Sequence, residues 1–363
     1  MVIFVILLFI FIILMQSLSK KGILKGIEYD CQFSERLIEV DEQIEFISTI
    51  TNRLRRIRPF IRLNEEFNGI GDIRFLNKNV TTYKLGLDGW ACHSTIYLLP
   101  RSKRRRKLKI AFSKRGRYMF REAKLYLGDF LGFMDNREDF RVFREVVVYP
   151  KLIESAQLQT IMGGFLGDIS VRRFIMEDPI LTIGTREYTG KEPLKQMSWK
   201  HTARTNQLMV KQFDYTTEMV VTVFLDISKI KGEITSDDCL ENCFSLARTV
   251  SQYLEEQKIS FEFITNAFIA GQTNQTTQSL GKAHLRLILE KLGRATYETT
   301  ATFKGIIDAL ILNHEKNRSM IIITPQRDVT KQTLAERLQK TTTGSLTFIY
   351  GEDFLGGAED DIS

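Results

Sequence analysis

The sequence is poor in the side-chain patterns from which catalytic and metal centres are built. Its four histidines, His93, His201, His284 and His314, form no ligand spacing with one another or with cysteine. The four cysteines, Cys31, Cys92, Cys239 and Cys243, include no Cys-x-x-Cys pair. Cys239 and Cys243 are four apart and would share one face of a helix; small core residues in a reducing compartment are the expected reading. No Gly-x-Ser-x-Gly elbow and no His-Glu-x-x-His pair occurs. GTREYTGK resembles a phosphate loop only superficially. Five residues separate Gly184 from Gly190 where four are needed, and Glu192 stands in place of the hydroxyl. Nothing here argues for catalysis, so a role without enzymatic activity or cofactor is expected.

The start of the chain lacks the marks of a cleaved signal. No basic residue precedes Val2, and QSLSKKGILKG offers no small-residue cleavage pattern. What is there instead is an uncharged run from Met1 to Leu18, roughly 27 Å long as a helix and close to the hydrocarbon thickness of a bilayer. Lys20, Lys21 and Lys25 follow it. The expectation is a retained single-pass anchor in the cell membrane with the body in the cytoplasm. The whole chain of 363 residues is 43% hydrophobic and 26% charged, with a net charge of +7. That balance admits two domains and favours acidic partners, whether anionic lipid or nucleic acid.

From roughly Ile27 to Pro150 the pattern has period two. KLKIAF puts Leu108, Ile110 and Phe112 on one face with lysines opposite, and AKLYLG and IEFIST repeat the alternation. An immunoglobulin-like β-sandwich is expected, although no Cys…Trp…Cys signature marks its topology. Between these strands lies RSKRRRKLK, with Arg101, Lys103, Arg104, Arg105, Arg106 and Lys107. It reads as a phosphate or anionic-lipid patch or as a solvated hairpin loop. Aromatic residues, usual in nucleic-acid modules, are missing from it.

After Tyr188 strands alternate with helices. The apolar run MVVTVFLD ends in Asp226. Ser236 then reads as a helix N-cap, with Asp237 and Asp238 in the first turn and Leu240, Cys243, Phe244, Ala247, Val250 and Leu254 as the apolar stripe. Further strands, ISFEFIT, SMIIIT and SLTFIY, complete the expectation of a doubly wound parallel sheet. The expected architecture is thus α+β and multidomain: anchor over 1–18, β-sandwich-like domain over 27–150, linking segment over 151–215, α/β domain over 216–350, acidic tail over 351–363. Ligands of such sheets sit at the carboxyl ends of the strands. There Asp226 and Ser228 could hold a hard divalent cation, or Asp226 could cap the next turn.

REYTGKEPLKQMSWKHTAR places Trp199, one of two tryptophans, among Arg186, Lys191, Lys195, Lys200, His201 and Arg204. Together with VVTVFLDIS it resembles the diagnostic stretch of the bacterial domain-of-unknown-function family fifty-eight, with Arg186, Glu187, Tyr188, Trp199, Ala203 and Arg204 at matching positions. RGRY from Arg115, GDFLGF from Gly128 and VYPKL from Val148 resemble further elements of that family. The resemblance implies a membrane-anchored cytoplasmic protein with a von Willebrand factor type A-like domain, associated with MoxR-type AAA+ ATPases. It departs in three places. One membrane helix is visible where two are common, Lys191 and Glu192 alter a Gly-Asp turn, and Ile230 stands where the type A metal site has a second serine. The implied metal set is Asp226, Ser228 and Asp328, with Thr273, Thr276 or Thr277 as the threonine; Mg²⁺ would be its ion.

Two uses of the Trp segment follow. In one, Pro193 opens a short helix, Leu194 and Met197 turn inward, and Trp199 is a buried anchor between domains. In the other, Arg186, Tyr188, Trp199, Lys200 and Arg204 form a partner site. The leading functional expectation is a membrane-tethered adaptor that engages a protein partner, an AAA+ ATPase, in assembling or maintaining envelope complexes. Its rival is a membrane-associated nucleic-acid-binding protein that uses the basic run.

Overall fold

The computed structural model describes residue 10 and residues 26–355, apart from 70, 78–79, 87, 129–134, 176–177, 191, 215–219, 231–234 and 313–316. The expected anchor (Ile10 aside), the tail beyond 355, Lys191 and most of GDFLGF lie outside the described residues. Two compact units are present: Met1–Lys151 with Leu289–Ala295, and Leu152–Ile288 with Thr296–Ser363.

Alternation of apolar and polar residues builds the first unit. Its strands are β1 (Ile27–Phe33), β2 (Leu37–Glu39), β3 (Ile44–Asn52), β4 (Arg58–Asn68), β5 (Ile73–Phe75), β6 (Thr81–Leu85), β7 (Gly89–Leu98), β8 (Lys103–Phe112), β9 (Gly116–Gly128) and β10 (Asp135–Tyr149). They form a four-stranded sheet in the order β1-β3-β8-β5 and a six-stranded sheet in the order β2-β10-β9-β4-β7-β6. Pairings are antiparallel except β2 with β10. The inward residues of both sheets make one core, as in a β-sandwich. At its centre Phe46, Phe67 and Phe120 pack with ring centroids 5.0–5.3 Å apart, within the usual range for aromatic pairs. Tyr118 of RGRY is buried and donates its hydroxyl hydrogen to the Lys114 carbonyl at 2.8 Å. A Cβ on Gly69 would fall 2.0 Å from its ring, so the side chain is fitted against bare backbone.

The second unit opens with α1 (Ala156–Ile175) and a hairpin of β11 (Asp178–Glu187) and β12 (Met209–Asp214), between which α2 (Trp199–Thr205) is inserted. Next in the chain come β13 (Val220–Leu225), α3 (Asp237–Glu256), β14 (Phe261–Thr265), β15 (Ala267–Ile269), α4 (Lys282–Arg294), β16 (Ala295–Thr299), α5 (Phe303–Leu312), β17 (Arg318–Thr324), α6 (Val329–Gln339) and β18 (Leu346–Tyr350), of which Leu289–Ala295 belong to the first unit. Four of these strands pair in parallel in the order β14-β13-β17-β18. Every residue of β14 and β17 is buried, including Glu262 and Arg318, which pair with each other across the sheet. α3 begins where its cap chemistry sets it: Ser236 Oγ accepts from the Cys239 amide at 3.2 Å. The six stripe residues of α3 are all buried.

The expected architecture needs correcting. Strand makes up 43% of the structure against 29% helix, so the chain is predominantly β. Among the described residues no helix is long and apolar enough to cross a membrane, so the expected single-pass anchoring with a cytoplasmic body is not supported.

All four cysteines are free and buried. Burial pushes the Cys31 and Cys92 thiols up to about 12, and the nearby Glu65 carboxylate adds to the effect. Thiolate is the reactive form. Iodoacetamide at neutral pH is therefore expected to spare Cys31 and Cys92 in the folded chain and to label both in denaturant. Peptide mapping that found either one alkylated before unfolding would contradict this.

Candidate functional site

Three strand ends converge at the carboxyl edge of the parallel sheet. Asp226 follows β13, Asn266 follows β14, and Thr324 ends β17. Asp226 is fully buried. Its Oδ1 accepts from the Ser228 amide at 3.0 Å, the Ser228 hydroxyl at 2.6 Å and Asn266 Nδ2 at 2.5 Å. Its Oδ2 accepts from the Thr324 hydroxyl at 3.1 Å and from Lys331 Nζ at 2.6 Å.

Lys331 projects from α6 and its side chain is 8% exposed. Its ammonium also donates to the Ser228 carbonyl at 3.0 Å and to Thr324 Oγ1 at 3.2 Å. A lysine carries three such donors, and three oxygens take them. The cation facing Asp226 is thus a covalent part of the chain. Asp226 and Ser228 meet as the sequence suggested, but the partner threonine is Thr324.

The remaining expected ligands are engaged elsewhere. Asp328 is the N-cap of α6, with Oδ1 accepting from the Thr330 amide at 2.8 Å and the Thr330 hydroxyl at 2.5 Å. Partial burial opposes its ionisation, yet the hydrogen bonds from Thr330 prevail and hold the carboxyl below its ordinary value. Thr273 donates to the Gln275 carbonyl, and Thr276 is tied to the backbone of Phe263. Thr277 is exposed. Among the described residues no group of three or more His, Cys, Asp or Glu is arranged to hold a metal.

A pocket of about 420 Å³ opens over this edge. Ser228, Thr299, Thr300 and Thr302 line it with hydroxyls, and Lys304, Lys331 and Asp328 bring charge. Thr302 Oγ1 accepts from the Gly305 amide at 3.1 Å and so caps α5. The first turns of α5 and α6 therefore both border the pocket, with the positive ends of two helices beside it.

The Trp segment lies in the second unit and is only partly as expected. Met197 is buried and bridges to Val210. Leu194 and Trp199 are instead 70% and 64% exposed, so Trp199 is not a buried anchor. The reason is local. Pro193 leads into a single 3₁₀ turn, Leu194–Gln196, and α2 starts only at Trp199. The two residues are then not on one helix face. Trp199→Ala is expected to change unfolding free energy by no more than about 0.5 kcal/mol; a loss of about 3 kcal/mol or more in denaturant melts would restore the buried role.

The altered turn has its own chemistry. Glu192 accepts from the Thr189 hydroxyl at 2.7 Å and the Thr189 amide at 3.1 Å, and pairs with Arg186 at 2.6 Å. The Thr189 hydroxyl foremost, with Arg186, holds its carboxyl down at about 2. Arg186 is thereby occupied, whereas Lys195, Lys200, His201 and Arg204 are exposed and Tyr188 is half-buried.

The basic run is not a loop. Lys103 to Phe112 is strand β8, and its side chains part to two faces. Lys103, Arg105, Lys107 and Lys109 point outward, and Lys107 is paired with Glu45 at 2.7 Å. Arg104 stacks over Tyr97 at 4.8 Å. Arg106 turns to the core, where it pairs with Glu65 and donates to Ser94. Arg101 sits at the turn before the strand with φ 46°.

No protein-family model matches the chain. No curated protein matches it either. Solved structures resemble parts of it at low scores. A cohesin module from a Clostridium perfringens family 33 glycoside hydrolase is 12% identical, covering 34% of this chain and 96% of its own, with a TM-score of 0.25. AvmM, which catalyses macrocyclization in alchivemycin A biosynthesis, is 14% identical over 38% of this chain and 97% of its own, TM-score 0.26. The CARDB domain of a Pyrococcus furiosus protein is 14% identical over 34% and 96%, TM-score 0.22. At such scores none of them bears on what the chain does.

Proposed function

We propose that the chain is a protein-binding adaptor whose second unit receives a carboxylate side chain of a partner at the strand-end pocket, without a bound metal. The observation that carries this reading is the position of Lys331. It neutralises Asp226 from within and so removes the charge that would otherwise repel an acidic group. Lys304 is left as the exposed cation of the pocket, beside the hydroxyls of Thr299, Thr300 and Thr302. Asp328 is turned to the amides of its own helix. The resemblance to family fifty-eight supplies the class of partner, a MoxR-type AAA+ ATPase, and the process, assembly or maintenance of envelope complexes.

Co-purification of the full chain with such an ATPase tests the reading. Binding is expected to survive chelation of divalent ions and to be lost in Lys304→Glu, with an unchanged unfolding midpoint. Binding that needs Mg²⁺, or that ignores Lys304→Glu, sinks it.

The outward row of Lys103, Arg105 and Lys109 keeps a second reading, nucleic-acid binding, in view. Only this reading expects affinity for single-stranded nucleic acid to fall steeply with log salt and to weaken in Lys103→Glu/Arg105→Glu.

A further inference from the structure

Two features of the second unit are complementary to each other and are used by nothing described above. The first is Trp199. Its segment is held on the hairpin by backbone bonds: the Ser198 amide donates to the Met209 carbonyl at 2.8 Å, and the Met209 amide to Thr202 Oγ1 at 3.0 Å. Asn206 closes α2 in the left-handed conformation. The indole is therefore presented outward from an ordered base, and aromatic groups so placed are the usual energetic centres of interfaces. Lys195, Lys200 and Arg204 are exposed around it in sequence and form no ion pair among the described residues.

The second feature is a pocket of about 340 Å³ between α3 and the segment leading into α1. The Ile153 amide donates to Thr249 Oγ1 at 3.0 Å and fixes that segment against α3. Leu158, Met162 and Val250, all buried, form its apolar floor, with Tyr253 beside them. Glu154 and Glu256 stand at its rim, exposed and without an ion pair among the described residues. The volume is within the range that admits a single large side chain or a small ligand.

We infer that Trp199 of one copy enters this pocket on a second copy, with Lys200 and Arg204 against Glu256 and Glu154. Charge complementarity selects this occupant: an apolar pocket rimmed by carboxylates matches an exposed indole flanked by cations. Knob and pocket are different surfaces of one chain. The contact is therefore heterologous, and it adds copies head to tail into a ring or an open chain. It is independent of the Lys304 pocket.

Sedimentation of the full chain in mild nonionic detergent, over a range of concentrations, tests this. The wild type is expected to grow past a dimer as concentration rises. Trp199→Ala and Glu154→Lys/Glu256→Lys should each associate about 30-fold more weakly, the loss typical of an interface centre. All the altered positions are exposed, so the fold should persist, and coincident melts check that. The two variants mixed should form a one-to-one dimer and nothing larger, since one keeps the pocket and the other keeps the tryptophan. A wild type that stays monomeric, a variant that associates like the wild type, or a mixture that does not pair would each overturn the inference.

Discussion

Asp226→Ala is expected to destabilise the chain by about 3–5 kcal/mol, the cost of leaving one member of a buried ion pair alone. Lys331 is nearly enclosed, and among the described residues Asp226 is its one carboxylate partner. Removing Asp226 also strands the Asn266 amide and the hydroxyls of Ser228 and Thr324. Reading the strand-end acid as a recognition group alone leads to the opposite forecast, a loss of binding with little loss of stability. Denaturant melts decide between them. A midpoint within about 0.5 kcal/mol of wild type would show that the ion pair does not hold the edge together.

A paired variant sharpens the test. In Asp226→Asn/Lys331→Met the asparagine oxygen can still accept from Ser228 and Asn266, and its amide can donate to the Thr324 hydroxyl. The buried charges vanish together, and replacing a whole pair is often neutral or better. Most of the lost stability should therefore return. Mg²⁺ should leave the wild-type melting temperature unchanged, because an ion that bound the native state well would raise it, and the position facing Asp226 is held by an ammonium.

How much of this edge was legible follows from where its parts lie in the chain. VVTVFLD announced a buried strand ending in an acid, and Ser236 with two aspartates announced the next helix; both are local signals. Lys331 carried none. In TKQTLAERLQ it reads as one more solvent-facing lysine, and only the convergence of three strand ends, 105 residues away from it at Asp226, gives it a partner. Thr324 was hidden for the same reason, as the last residue of an apolar run. Trp199 failed differently. Its neighbours Leu194 and Met197 lie within helical reach of it in the sequence, but a 3₁₀ turn intervenes and Leu194 points to solvent. The basic run misleads because its density of charge conceals its period of two. Leu108, Ile110 and Phe112 were recognised as one face; carrying the same alternation back by two positions puts Arg106 on it.

That inward arginine yields the second large effect. Arg106→Met is expected to cost about 3–5 kcal/mol, again by leaving a buried charge unpaired. Glu65 is fully buried within the β-sandwich, on the face that β4 turns to the core. Its Oε2 pairs with Arg106, and its Oε1 accepts from the Tyr29 hydroxyl at 2.8 Å. Arg106 also reaches Ser94 and, at 3.5 Å, the Cys92 sulfur, so the pair ties β8 of one sheet to β4 and β7 of the other. Methionine keeps most of the length and none of the donors, leaving Glu65 with the tyrosine alone. Neutralising the acid as well, in Arg106→Met/Glu65→Gln, retains an acceptor for Tyr29 and should recover most of the loss. Arg105→Met, one residue away on the outward face, should stay within about 0.5 kcal/mol. If Arg105 and Arg106 variants melted alike, the division of the basic run into one structural and one solvent face would be wrong.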